Sequence, residues 1–369
     1  MECDNSKKVL IIGAGPVGLA AAVFLKHKGI RPRIVDKILE PTEHSKAMAI
    51  NPRTQEIFDK INSLDEFLQK TYRLRSANFH RGTQLIIKNT FDKFEHKFPY
   101  MTIQTQKQSE RVLIKMLSKR GIEVERGVSV NRVSNIDNSV QVELTTQNGE
   151  VSTEVYDYVF CADGAHSASR KSLGLKFDGS SIGSPWYLFD VKLNASLKSD
   201  EMFVYIFKFN FLFMLCIEDN LWRVFSNDEN ILDYLPGETS VESVEWRSNF
   251  VISHRVIERF NVGNIYFGGD AAHVHSPAGG RGMNLGIEDA YVFTELLISG
   301  RLDEYDKLRM KVVKETVAKV DRFTNIVSGK TFTTRLIRTI GLYILPYIFP
   351  FIRKSLTTFL FGLDHELLS

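Results

Sequence analysis

The apolar and polar positions of this chain follow two rhythms. Short apolar runs bounded by glycine or acid at Lys8–Ile12, Tyr156–Phe160 and Ile265–Phe267 predict buried strands, each leading into a glycine-bearing turn. After the first, Leu19–Lys28 reads as an alanine-rich helix ending at Gly29, and Arg33–Val35 as a second strand with Asp36 at its end. This is a βαβ opening. Residues 37–46 read as a loop, 52–70 as a helix pair and 74–98 as a hairpin turning at Arg81-Gly82-Thr83. Thr105–Arg120 reads as a helix stopped by Gly121. Short strands follow over 124–155, with turns at Asp137-Asn138 and Asn148-Gly149.

From Phe177 to Phe260 the pattern becomes aromatic and alternating. Phe203, Tyr205 and Phe207 stand at period two, as do Phe209, Phe211 and Phe213, with a turn expected at Lys208-Phe209-Asn210. Such a face either walls an apolar cavity or packs on the neighbouring domain, and a cavity contribution is expected. Helical periodicity returns at Met283–Gly300, with apolar Leu285, Val292, Leu296 and Leu297, and again over Leu302–Ser328. The expected class is α/β (α+β overall), a Rossmann-like domain with an interleaved antiparallel sheet and a helical C-terminus.

Composition narrows this frame without redirecting it. The 369 residues are 43% hydrophobic and 25% charged, ordinary values for a globular chain that buries a large core. A net charge of +3 offers no global argument for nucleic acid. Three scattered cysteines, Cys3, Cys161 and Cys216, do not form a disulfide framework or metal site, which suggests a reducing, cytosolic setting. The first residues lack the apolar run of a signal peptide.

The chemistry concentrates in three turns. Gly13-Ala14-Gly15-Pro16-Val17-Gly18 follows the first strand: Gly13 for the tight turn, Gly15 for approach to a pyrophosphate, Gly18 for close helix–strand packing. Asp36, 18 residues past Gly18, can accept hydrogen bonds from ribose hydroxyls. The second turn carries Asp163-Gly164, with Ser167 and Arg170 beyond it at a spacing that a plain Asp-Gly turn does not require. The third runs from Gly269-Asp270-Ala271-Ala272-His273 through Pro277 to Gly279, Gly280 and Gly282 at a helix start, where bare backbone lets N–H groups approach an electron-rich ligand. Lys46 and Arg53 are basic residues near where a diphosphate would lie, weighed equally against solvated charges. His273 and His275 form an H-x-H without further ligands at metal spacing, so no metal is expected.

Taken together, the three motifs resemble the single-component FAD-dependent aromatic hydroxylases, the para-hydroxybenzoate and phenol hydroxylase-like flavoprotein monooxygenases. The match is G-x-G-x-x-G at Gly13, Gly15 and Gly18, D-G-x-x-S-x-x-R at Asp163, Gly164, Ser167 and Arg170, and G-D-A-A-H-x-x-x-P-x-x-G-x-G-x-N from Gly269 to Asn284. The lead-in His254–Phe260 is also similar, and the resemblance covers residues 8 to about 325. It implies non-covalent FAD and a transient NADPH or NADH donor. It also implies a monooxygenase that hydroxylates an apolar aromatic or polycyclic molecule with dioxygen, through a flavin C4a-hydroperoxide.

By position, the resemblance implies that Asp36 binds the adenosine ribose and that Gly13, Gly15, Pro16, Val17, Gly18, Lys37, Lys46 and Val130 also contribute to the cofactor site. Gln106 and Asp270 would reach the ribityl chain, and Asp163 and Gly164 the pyrophosphate and the passing nicotinamide. Gly269, Gly280, Gly282, Met283 and Asn284 would line the flavin, with Pro277 beside its reacting edge. Lys46 stands where the family usually has arginine, and Arg281 where glutamine is common. Arg281 and Pro277 are therefore the residues expected to act on catalysis. The implied domains are a discontinuous FAD-binding unit (1–73, 99–176, 261–300), a β-sheet substrate unit (74–98, 177–260) and a helical segment (301–369). No obligate protein partner is inferred.

Two alternatives stay open: a related flavoprotein acting on an isoprenoid or quinone-type lipid, and a non-catalytic FAD-binding redox protein. The C-terminus motivates the first. Residues 331–363 carry four basic residues and no acid, and the uncharged run Thr339–Ile352 is divided by Pro346 and Pro350, predicting short helices. At about 1.5 Å per residue the uncharged run falls short of a ~30 Å hydrocarbon core, so no membrane span is expected. Lys330, Arg335, Arg338, Arg353 and Lys354 suit anionic headgroups, and Tyr343, Tyr347 and Phe349 an interface. The tail is expected to pack as core, touch a membrane surface or cover an apolar entrance.

Overall fold

The βαβ opening forms as the apolar pattern requires. Val9–Ile12 is fully buried, Pro16–His27 is a helix, and Arg33–Asp36 is the next strand. The helix begins three residues earlier than its alanine run suggests, because Pro16 presets the backbone angle of a first helical residue and needs no N–H partner there. The computed structural model describes residues 7–41, 47–68, 71–277, 279–329 and 331–368, so Lys46 and Lys330 lie outside the described residues.

A six-stranded sheet carries the main core. Its order is Asn261–Val262, Ile265–Phe267, Tyr158–Cys161, Val9–Ile12, Arg33–Asp36 and Val124–Arg126, parallel except for the first pair. Tyr156 belongs to the preceding antiparallel strand, Val151–Tyr156, because Asp157 breaks the run where the chain changes sheets. Ser129–Ile136, Ser139–Thr145 and Val151–Tyr156 form an antiparallel meander. Pro16–His27 packs closely on the later helix Gly282–Ser299, where Val17 lies against bare backbone: a Cβ on Gly286 would meet Val17 Cγ2 at 2.5 Å. Phe58 stacks on Phe67 at 3.8 Å, closing the helix pair Pro52–Lys60 and Leu64–Phe67 onto this core.

An eight-stranded sheet joins segments distant in sequence. Its order runs His273–Val274, Ser240–Ile257, Phe177–Asn194, Leu221–Ser226, Phe211–Glu218, Glu201–Ile206, Ser76–Arg81, Gln84–Thr90. The hairpin at Gly82 and the turn at 208–210 stand where the pattern placed them. The aromatic stripes, however, separate. Phe203 and Tyr205 pack with Trp222 and Phe189 on one face, under the segment around Ile231. Phe211 and Phe213 lie on the opposite face, with Trp186, Val204 and Ile206. Neighbouring antiparallel strands fix which side chains share a face through their register, and that register is a tertiary fact.

After a single 3₁₀ turn at Leu302–Glu304, Tyr305–Ser328 forms a helix. The tail departs most from expectation. Phe332–Phe361 is one continuous helix of 30 residues that contains both prolines. Pro346 and Pro350 are both exposed, and each leaves one carbonyl, that of Leu342 and that of Pro346, without its helical N–H partner while the rest of the ladder continues.

Candidate active site and cofactor cleft

Four turns meet at the carboxyl edge of the parallel sheet. The register pairs Ile12 with Cys161 and Val35, and Cys161 with Phe267. Gly13, Asp36, Asp163 and Gly269 therefore leave adjacent strands side by side. The second strand lies on one side of Val9–Ile12 and the later strands on the other, so this is the switch point where open α/β sheets form a crevice.

Gly13 is left-handed (φ 102°), and a Cβ there would sit 2.3 Å from the carbonyl oxygen of Ala162. A Cβ on Gly18 would sit 1.9 Å from the carbonyl oxygen of Gly13. Both glycines are required by the chain's own packing. Gly15 is different: its φ of −75° suits any residue, and a Cβ there would meet nothing within 4 Å. It leaves bare backbone beside open space at the N-terminus of a helix, the arrangement that accepts a phosphate.

Asp36 and Asp163 are seated by hydrogen bonds from neighbouring N–H and hydroxyl groups. Asp36 accepts from the Ala14 N–H at 2.6 Å and the Ile38 N–H at 2.8 Å, which bends the chain around the first glycine turn. Asp163 Oδ2 accepts from the Ser169 N–H and hydroxyl, while its buried Oδ1 has no partner in the protein. Arg170 ties this turn to the third motif, donating to Ala271 O and Ala165 O at 2.8 Å each. Asp270 is exposed on the 3₁₀ turn Gly269–Ala271. Burial, reinforced by Asp163, pushes the Cys161 thiol well above its ordinary range, so it is a neutral core group.

Beneath the third motif runs a buried ion network. Asp289 accepts from the Gly269 N–H at 2.9 Å, contacts His273 Nε2 at 2.7 Å and accepts from Arg309 Nε at 2.6 Å. Burial alone would raise its pKa; the Arg309 guanidinium and His273 outweigh that and hold it below the ordinary carboxylate value. His273 is thus a structural partner of Asp289. His275, beside the glycine loop, has a water-excluded Nε2 without a partner, and burial, then His273 and Arg281, lower its pKa to about 3. It is neutral at physiological pH.

Arg281 caps the helix Gly282–Ser299 from a fully buried position. One terminal nitrogen donates to Phe359 O and to Asp364 Oδ1, the latter at 3.1 Å, while Nε and the other terminal nitrogen are buried and unpaired. Asn284 is saturated by the protein: its Nδ2 donates to Ala49 O and Gly280 O, and its Oδ1 accepts from the Asn51 N–H and Thr54 hydroxyl. Its side chain fixes the loop, and the first-turn backbone N–H groups are what the helix presents, since no helical carbonyl can satisfy them.

The protein-family model described as "FAD binding domain" matches residues 6–229 and 228–320. This chain belongs to the FAD-dependent aromatic hydroxylase family. It is 28% identical over 380 residues to 6-methylpretetramide 4-monooxygenase of Streptomyces rimosus, covering 96% of this chain and 68% of that one. It is 26% identical over 303 residues to pentachlorophenol 4-monooxygenase of Sphingobium chlorophenolicum, covering 77% and 56%. The chain thus spans between about half and two thirds of these relatives' lengths. The fold is that of the p-nitrophenol 4-monooxygenase of Pseudomonas putida DLL-E4, with a TM-score of 0.85, 21% identity and coverage of 98% of this chain and 100% of that one. FAD is the cofactor of this family.

The cleft of this hydroxylase-family chain fits FAD on its own evidence. Gly15 is a glycine that the protein itself does not need, and Asp163 Oδ1 and two of the three Arg281 guanidinium nitrogens are buried groups without a partner in the protein. Two helix N-termini, at Pro16 and Gly282, bound the same crevice. Gln106 is in the first turn of the helix Gln106–Lys119 and donates to Glu110 at 2.8 Å. Val130 is buried, two residues past Val128, whose N–H bonds to Asp36 O at 3.1 Å. Lys37 is exposed just beyond Asp36. Pro277 forms a turn closed by the Gly280 N–H at 3.0 Å, and Met283 follows it into the helix.

Arg53 departs from both roles considered for it. It pairs with Glu56 and donates to the Gly362 and His365 carbonyls, holding the C-terminal segment in place. Sequence reasoning also missed the residues that seat the motif: Asp289, Arg309, Glu288 and the tail pair Asp364–His365. No local pattern marks them, because each finds its partner on another element.

Proposed function

We propose that the protein hydroxylates an apolar aromatic or polycyclic small molecule, consuming NAD(P)H and dioxygen, in the cytoplasm. The observation that carries this reading is the convergence of three motif turns on one switch-point crevice, with the unpaired Asp163 Oδ1 and the Gly15 backbone facing it. Bound FAD would supply the redox chemistry, accepting hydride and activating dioxygen.

The residues would divide the work. Asp36 would hold the adenosine ribose beside Lys37 and Val130. The N–H groups at Gly15 to Gly18 would face the pyrophosphate with Asp163 and Gly164. Asp270 and Gln106 would hold ribityl hydroxyls. Pro277, Gly280 and the N–H groups of Gly282, Met283 and Asn284 would border the flavin ring, where the helix N-terminus favours negative charge. Arg281, buried beneath that loop, would add positive potential there. The apolar sheet face with Phe213 and Leu215 would exclude water from the reacting ring.

The test is NAD(P)H oxidation by the purified yellow protein across a panel of aromatic ligands, followed by mass spectrometry in ¹⁸O₂. Stimulated oxidation with one labelled oxygen in the product is expected. Oxidation that no ligand stimulates would favour the non-catalytic redox reading. The exposed apolar helix at the C-terminus favours a second substrate class, an isoprenoid or quinone-type lipid, and including such compounds in the panel separates the two.

A further inference from the structure

The helix Phe332–Phe361 contains an 18-residue window of membrane-like hydropathy, yet of its 30 residues only Arg338, Leu342, Thr357 and Phe361 are buried. A helix of that composition belongs in a core or against a membrane. At about 1.5 Å per residue it is some 45 Å long, and by length and composition it could cross a ~30 Å hydrocarbon core, which the proline-divided reading of the sequence excludes. Its inner face is committed to the protein. Leu342 packs with Val204 and Ile206, Arg338 donates to Val327 O and Lys208 O, Arg353 donates to Thr90 O, and Phe361 meets Phe91 and Phe94 edge-on.

The outer face is a continuous stripe at helical spacing: Phe332, Leu336, Ile340, Tyr343, Tyr347 and Phe351. Phe332 is 76% exposed, Tyr347 79% and Phe351 86%. Contiguous apolar surface of this extent marks an interaction site. Its surroundings are basic. The Arg81 guanidinium lies 4.1 Å from the centre of the Tyr343 ring, and Lys208 and Arg335 flank exposed Phe209 at 5.1 Å and 6.0 Å. Residues 331–363 contain no acid.

We infer that this face docks on the surface of an anionic lipid bilayer, with the helix lying in the interfacial plane. Three observations select that occupant. A second copy of the chain would set one basic rim against another, without an acid on the helix to pair with it. A spanning helix would have to abandon its contacts with the eight-stranded sheet. Tyrosines beside aliphatic residues and a basic border are the composition that anchors an interfacial helix. The inference does not rest on the proposed hydroxylation, because it concerns a face outside the cofactor crevice.

The test is co-sedimentation of the full-length, FAD-loaded protein with phosphatidylcholine vesicles, with and without roughly one-third phosphatidylserine. Binding to the anionic vesicles is expected, weakening as salt rises toward about 0.5 M. The pair Tyr347→Asp and Phe351→Asp should weaken it at least about tenfold while FAD content is retained. Should that variant lose FAD, Tyr347→Cys in a Cys3→Ser background, carrying an environment-sensitive dye, gives the second reading: a blue shift on anionic vesicles is expected. Failure of the wild-type protein to bind anionic vesicles at low salt would overturn the inference. So would binding that survives the aspartate pair, a dye that never leaves water, or a lipid-free dimer sealed through this face.

Discussion

At the residue scale, two side chains give the clearest tests. Asp270→Ala removes the acid proposed to hold a ribityl hydroxyl. Loss of a charge-assisted hydrogen bond predicts FAD binding weaker by roughly 1.5–3 kcal/mol, measured by flavin fluorescence titration. Unchanged affinity would remove Asp270 from the site. Arg281→Gln acts differently, because Arg281 is buried and paired with Asp364. Breaking a buried pair costs about 3–5 kcal/mol when the survivor is left alone. Asp364 keeps Lys319 at 2.6 Å and His365, so the lower end, near 3 kcal/mol, is expected in urea unfolding. The same variant should retain FAD yet change its reduction rate or substrate preference; wild-type kinetics with every active substrate would reduce Arg281 to a packing role. Asp36 could be nominated from sequence because strand, turn, helix and acid form one local unit. Asp289 and Arg309 could not, because their pairing depends on how two helices meet.

At the element scale, the segment after the long C-terminal helix acts as a clamp on the third motif. His365 Nε2 contacts Glu288 at 2.6 Å, and Arg53 holds the His365 carbonyl. Burial lowers the His365 pKa, but Asp364 and Glu288 outweigh it, so the net shift is upward. A histidine with a raised folded pKa contributes stability that is complete below its unfolded value, near 6.5, and is lost as pH rises through the folded value. For Asp364 burial acts upward, and His365, Arg281 and Lys319 outweigh it and lower its pKa; its contribution is present above about pH 4 and lost only in acid. The stability that wild type holds over His365→Gln, read as the difference between their urea midpoints, should therefore be largest near pH 6 and shrink as pH rises to about 9. Parallel curves for the two proteins would show that His365 does not set this dependence. The prolines within the preceding helix pointed to short helices; the helix is continuous because each proline removes only one hydrogen bond while Leu342 before them and Thr357 and Phe361 after them are held by the protein.

At the scale of the whole molecule, the tail is held along its inner face and at its end, and bare on its outer face. Truncation after Ser328 removes Phe361 from the cluster with Phe91 and Met101, and Asp364 from Arg281. The shortened protein is expected to aggregate or lose FAD, read by absorbance near the flavin bands and by size-exclusion chromatography. Replacing exposed Tyr347 and Phe351 with serine should leave both readouts unchanged, because neither side chain is buried. A soluble, yellow truncation would show that the clamp is dispensable. Acid precipitation of the intact protein should release all flavin into solution, and flavin retained on the pellet would contradict non-covalent binding.

The sequence by itself determined what is local. Gly13, Gly15 and Gly18 follow one strand, Asp163 with Ser167 and Arg170 follows another, and Gly269 to Asn284 spans one strand–loop–helix; backbone sterics and helix-terminus chemistry make each legible without its neighbours. Tertiary structure decided everything that depends on which elements meet. It separated Phe203 and Tyr205 from Phe211 and Phe213, although all four obey the same period, because register assigns each strand's faces. It set Arg281 against Asp364 across 83 residues and Asp289 against Arg309 across 20. It also left the outer stripe of Phe332–Phe361 uncovered, because a helix with more apolar residues than one face can hold cannot present them all to one sheet, and only packing chooses which side remains.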